Sequence, residues 1–254
     1  MLKIASSTSL SPAQQWVLSV GALLNAKEGH VLNELATGID NATLQGGLNN
    51  AWGIHNREEF LARAQTLSAY PNKMEFEAVW AEMRKFLEKE PAKTGFFAKI
   101  VGAYTGMLGV TNPIKLNAAM TALKGKTSDT DAELAEKLNN SANWLEMLET
   151  VNITPNNVNN MMIWDASRLT NVARWALQIG WISEAEFFSI CTPLAVQAQR
   201  AYSSWKEMLD ACLVASIIWQ YEESRFEGFC EATKALQKDP TSPTAALAWN
   251  TALN

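Results

Sequence analysis

The sequence predicts an all-α protein, an irregular multi-helix bundle with a central apolar helix. Three observations lead there. Apolar residues recur at three- and four-residue spacing along nearly the whole chain, alternating β-branched runs are almost absent, and helix-start signals precede several periodic stretches.

Ser11 followed by Pro12 supplies a cap and a first-turn proline, and Trp16, Val17, Val20, Leu23 and Leu24 then form one face of a helix running down to Gly29. The Gly- and Asn-rich stretch 41–50 reads equally as a short helix or a loop. Asn56 and Glu59 have capping-box spacing ahead of a helix over 57–69. A third helix is expected over 74–90, closed by Pro91, with Phe76, Val79, Trp80, Met83 and Leu87 on one side. Helices over 96–108 and 113–123 follow, split at Thr111-Asn112-Pro113.

Residues 124–131, small, polar and unpatterned, form the best candidate linker or mobile loop. The chain reads as a single helical domain over 1–254. If it divides, it does so at this linker, into an N-terminal subdomain 1–123 and a core subdomain 131–254. A helix over 131–150 leads into a segment with eight asparagines between Asn139 and Asn160. Pro155 is expected to open the next long helix, which ends at Gly180. Ser183 and Glu186 form a second capping box, and residues 204–222, apolar all round at their centre, are placed in the middle of the bundle. A last helix over 227–238 precedes a tail, 243–254, expected to dock through Trp249.

The net charge of −5 argues against a nucleic-acid partner, because phosphate binding needs clustered Lys and Arg and no basic run here exceeds two residues. Cys191, Cys212 and Cys230 have no metal or redox spacing and read as buried thiols in a reducing cytoplasm. The first ten residues lack a secretory signal pattern, and no apolar run reaches the roughly 20 residues of a membrane span. His30 and His55 have no ligand companions, so no metal is expected, and no cofactor motif is present. Gly125-Lys126-Thr127 lacks the glycine and strand of a phosphate loop. The small-residue surface Gly102 to Gly106 reads as a buried helix pair or, alternatively, as a membrane-active or partner-binding hairpin.

The feature that stands apart is Trp164-Asp165-Ala166-Ser167-Arg168, in a chain with ten tryptophans. On a helical wheel Ser167, Thr170, Asn171, Arg174 and Gln178 share one arc, taken as the solvated face. Asp165 and Arg168 fall with the apolar residues on the opposite arc, so both charges point inward. They form a buried ion pair fixing helix register, or the carboxylate receives donors from a neighbouring loop, or both line a pocket. Trp16, Trp80, Trp144, Trp205 and Trp249 read as one-sided helix anchors, and Trp52 and Trp181 as helix-start staples. Trp164 is left, with Trp175 and Trp219 as expected neighbours.

Trp-Asp-x-x-Arg on a helix, Gly180-Trp181-Ile182-Ser183 ending on Glu186, Ser204-Trp205-Lys206-Glu207 and an apolar helix ending near Trp219 together resemble the bacterial family called domain of unknown function 1266. Trp52-Gly53-Ile54 fits its N-terminal part. Ala215-Ser216 stands where the family has Gly-Arg before the last aromatic. The resemblance implies a helical domain of bacterial cytoplasm and no established activity.

Two functions are open. The first is a protein-interaction module, an adaptor or antitoxin- or immunity-type partner, whose acidic surface would suit a basic or toxin-like protein. The second is an enzyme or small-molecule binder in which Trp164, Asp165, Arg168, Trp175 and Trp219 build a pocket for an anionic ligand, with Arg168 as clamp and Asp165 as orienting group or base. The sequence does not decide whether the chain is an enzyme, nor its oligomeric state.

Overall fold

A computed structural model describes residues 1–87, 113–140, 147–153, 157–219 and 223–253. The described residues are all-α: twelve helices and no strand, with one isolated parallel bridge between Lys3 and Val31. No helix among them is long and apolar enough to cross a membrane. The expected helix over 96–108, the Gly102–Gly106 surface, Trp144, Pro155, the ends of the 74–90 and 204–222 helices and the middle of the 131–150 helix lie outside the described residues.

The first predicted helix is two, α1 (Pro12–Ser19) and α2 (Ala22–Lys27). Between them the Val20 and Gly21 amides bond carbonyls three residues back, at 3.3 and 3.2 Å, and this tightened turn breaks the α ladder. Ser11 and Gln14 close a full capping box at the start. The open stretch is α3 (Asn41–Trp52), capped by Asp40. Helix α4 (Arg57–Ser68) has the predicted Asn56 cap, but the Glu59 carboxylate accepts from the His55 amide instead of that of Asn56.

Then come α5 (Lys73–Leu87), α6 (Pro113–Leu123) and α7 (Asp131–Asn139). The expected loop between α6 and α7 is tied down: Glu75 Oε1 accepts from the Thr127 hydroxyl and from both the amide and hydroxyl of Ser128, and Lys137 pairs with Asp129. The long helix is α8 (Met162–Gln178), starting later than Pro155. Side chains claim the backbone before it: Glu77 accepts from the Met161 amide, Asn160 from that of Met162, and Trp80 Nε1 donates to the Val158 carbonyl. After α9 (Glu184–Ala201), opened by the predicted Ser183–Glu186 box, come α10 (Trp205–Trp219), α11 (Glu223–Lys238) and α12 (Pro243–Ala246). The tail docks as expected, with the Trp249 ring 5.2 Å from Trp16 and 5.1 Å from Trp205, and its carbonyl accepting from Trp16 Nε1.

Helix α10 is buried along most of its length, as its apolar pattern implies. The hub, however, is α8, which contacts α2, α3, α4, α5, α9 and α10. Within α8 only Arg168, Leu177 and Gln178 escape full burial. The arc taken as solvated is therefore wrong: Ser167, Thr170, Asn171 and Arg174 are all buried. Those of Ser167, Thr170 and Arg174 serve backbone instead of water, and the Asn171 side-chain amide donates to the Glu28 carboxylate. The Ser167 and Thr170 hydroxyls turn back to the carbonyls of Trp164 and Ala166. Arg174 reaches the non-helical segment after α2, donating to the carbonyls of Val31, Glu34, Leu35 and Ala36 at 2.6 to 2.9 Å. Gln178 extends the clamp, accepting from the Thr37 amide and donating to the Ile39 carbonyl, each at 2.7 Å. A coil segment with little internal hydrogen bonding is thus held by one face of the central helix.

Two outcomes follow from this clamp. Arg174→Met leaves four carbonyls without their donor, and chemical denaturation should register a loss of about 3–5 kcal/mol; Arg174→Lys should recover little, because one ammonium cannot reproduce the planar fork. His30, beside the clamp, is buried and held down to about 4, first by burial and then by the charges of Arg174 and Lys3. As pH falls from about 6.5 to about 4 the unfolded chain takes up a proton that the folded chain refuses, so stability falls across that window. His30→Gln should flatten that part of a denaturation-versus-pH curve.

Candidate functional site

Helix α8 presents Trp164, Asp165 and Arg168 within its first two turns. Asp165 is fully buried, and its carboxylate is taken up by Asn72: the side-chain amide donates to Oδ1 at 2.6 Å and the backbone amide to Oδ2 at 3.0 Å. The corner between α4 and α5 delivers Asn72. Tyr70 ends α4 in the left-handed region, at φ 53°, where glycine is the usual occupant, and Pro71 forbids the helix from continuing. Holding a tyrosine there costs about 1–2 kcal/mol, which the Asn72–Asp165 bonds can offset. Burial pushes the Asp165 carboxyl up, while the two Asn72 bonds and then Arg168 draw it back.

The two inward charges do not bond each other. Arg168 Nη1 lies 3.7 Å from Asp165 Oδ1, an ion pair beyond hydrogen-bond length. The guanidinium is held by tryptophans instead: its central carbon is 4.2 Å from the Trp219 ring centroid, 4.7 Å from Trp52 and 5.8 Å from Trp164. Such contacts contribute about 0.5–2 kcal/mol each when partly desolvated. Among the described residues Arg168 has no hydrogen-bond acceptor, and its side chain keeps 14% of its surface exposed. Burial lowers it to about 10, with Asp165 raising it and Arg63 lowering it further, so it remains a cation at neutral pH. Trp219 is the exposed wall, at 42%. Two buried donors nearby, the Trp164 indole N–H and the Tyr70 hydroxyl, likewise have no partner among the described residues. Burial first, and the Asp165 charge second, push Tyr70 up to about 12.

Of the residues singled out from the sequence, Trp164, Asp165, Arg168 and Trp219 gather here, with Trp164 and Trp219 rings 6.1 Å apart. Trp175 does not join them. It shares their helix face but stands three turns along, about 16 Å by helix rise, where it meets His30 at 6.0 Å and crowds Gly47 so closely that a Cβ there would lie 2.9 Å from the indole. Trp52, read as a staple for α4, instead ends α3 and turns its ring onto Arg168. Asn72 and Tyr70 escaped the sequence reading because a Tyr-Pro-Asn corner looks like any interhelical turn. A separate polar cleft of about 480 Å³ opens at the start of α10, where Lys206 pairs with Asp210 and one Asp210 oxygen is buried without a partner. No group of three metal-ligating residues is found among the described residues.

The family described as a protein of unknown function, DUF1266, matches residues 47–249, a span that contains the whole Arg168 cluster. The chain belongs to the DUF1266 family. No curated protein and no solved structure matches it. For this DUF1266 chain the geometry separates two roles that the Trp-Asp-x-x-Arg string had joined. Asp165 fastens the α4–α5 corner, and Arg168 is a caged cation whose N–H groups meet no acceptor among the described residues.

A double-mutant cycle separates them quantitatively. Asp165→Ala and Asn72→Ala should couple by about 1.5–3 kcal/mol in denaturation experiments, as expected of charge-assisted bonds between buried partners. Coupling between Asp165→Ala and Arg168→Ala should stay below about 1 kcal/mol, the range of loosely paired charges.

Proposed function

We propose that the chain is a ligand-binding protein that recognises an anionic group through Arg168. The observation that carries this reading is a guanidinium whose faces are covered by tryptophan rings while its N–H groups have no hydrogen-bond acceptor among the described residues. A guanidinium in that state is oriented in advance and partly desolvated, and both properties strengthen a fork-to-oxyanion contact. Asp165 does not fill that edge, because its oxygens are turned to Asn72 and the nearer one lies 3.7 Å from Arg168 Nη1, beyond hydrogen-bond length. The carboxylate beside Arg168, that of Asp165, is already bonded by Asn72, so the reading is of binding, with no reaction attached.

A thermal-shift screen of the full chain against matched anionic and neutral small molecules tests it. Anions should raise the melting temperature where neutral isosteres do not, and Arg168→Lys should stay folded yet lose the shift, because an ammonium cannot present the paired edge. Equal shifts from neutral isosteres, or shifts that survive in Arg168→Lys, overturn the proposal.

One observation favours a second reading, a protein-interaction module. Trp219 is exposed beside Arg168, and tryptophan with arginine is the composition of binding hot spots. On that reading the group received at Arg168 is an acidic side chain of the partner. A basic or toxin-like partner draws its support from the net charge alone.

A further inference from the structure

Arg168 is accompanied by a second cation. Arg63, on α4, donates from Nη2 to the Trp52 carbonyl at 3.4 Å, and Trp52 is the residue whose ring lies on the Arg168 guanidinium. One tryptophan therefore links the two arginines, through its backbone on one side and its indole on the other. The Arg63 charge is close enough to help lower Arg168. Among the described residues no carboxylate forms an ion pair with Arg63, and Asp165, the carboxylate facing Arg168, has its oxygens occupied by Asn72. Among the described residues the site thus keeps two guanidinium groups against one engaged carboxylate.

The number of acceptor oxygens then discriminates between anions. A carboxylate that meets the edge of one guanidinium turns both its oxygens to that edge and carries a single charge, so it meets the other arginine only through its remaining outward lone pairs. A phosphate monoester carries three terminal oxygens and up to two negative charges, enough to engage Arg168 edge-on and still accept from Arg63. The exposed Trp219 ring, one face of which lies on Arg168, leaves an apolar surface beside the anion for the organic part of an ester.

Building on the anion-binding reading, we infer that the group received at Arg168 is a phosphate monoester, held between Arg168 and Arg63 with its organic substituent against Trp219. Arg63 is exposed and outside the packed cluster, so it can be changed with little effect on folding.

The test follows tryptophan fluorescence of the full chain during titration with inorganic phosphate, phenyl phosphate and acetate at fixed ionic strength. Phosphate and phenyl phosphate should saturate, with phenyl phosphate the tighter of the two and acetate weaker than phosphate by about tenfold or more, as for a lost charge-assisted contact. Arg63→Gln should weaken both phosphates by about tenfold, leave acetate unchanged and keep the melting temperature, as loss of one exposed charge-assisted donor requires. Arg168→Gln should remove all three. If acetate binds as tightly as phosphate and Arg63→Gln changes neither, the phosphate assignment falls while anion recognition stands. If no anion saturates, or Arg168→Gln leaves binding intact, both fall together.

Discussion

Helix α8 carries Asp165, Asn171 and Arg174 through the interior, and their burial sets the terms for everything packed around it. A charge removed from water is tolerated only where hydrogen bonds replace its hydration. Each of these groups therefore recruits a segment that would otherwise have little reason to hold one conformation. Arg174 gathers the carbonyls of the 31–36 segment, Asn171 takes the Glu28 carboxylate, and Asp165 takes the amides of Asn72. The irregular half of the fold is organised by polar contacts to one helix, and the regular half by ordinary apolar packing on the same helix.

The tryptophans show a comparable division of labour. Trp16, Trp205 and Trp249 pack on one another and use their indole N–H or carbonyl groups to anchor the C-terminal tail, with Gln199 adding two bonds to the tail's carbonyls. Trp80 fixes the segment before α8 through Val158. Trp52, Trp164 and Trp219 instead surround a cation, and the Trp164 indole N–H is left without a partner. An unpartnered N–H does not by itself mark recognition, since the Trp175 indole, packed against His30 away from the cage, is also buried without a partner among the described residues; what sets the last group apart is the cation between its rings.

Periodicity and caps made the helical class, the Ser11 and Ser183 starts, the α6 boundaries and the docking of Trp249 legible in the sequence, because those signals are local. The wheel failed for α8 because it assumes a surface helix: polar residues on one arc signal water only when no unpaired backbone lies opposite, and here the 31–39 segment does. Asp165 was read correctly as inward, with Arg168 one turn away or a neighbouring loop as its partner, and the donor is the loop residue Asn72, 93 positions earlier. Trp164 and Arg168 stood out as residues while the cage did not. Nothing in Trp52-Gly53 or Tyr70-Pro71-Asn72 announces a contact with a helix a hundred residues on.

The walls of that cage come from the end of α3 and the end of α10, on either side of the cation on α8. None of the three pieces meets another through local chain geometry, so closing the loops between them is an entropic cost met only when the whole bundle has assembled. A partly folded chain, even one with every helix formed, would present the arginine to water without its aromatic faces. Competence to bind is thereby made a property of the finished tertiary structure, and an occupant of the cage would act as a staple joining the first third of the chain to the last.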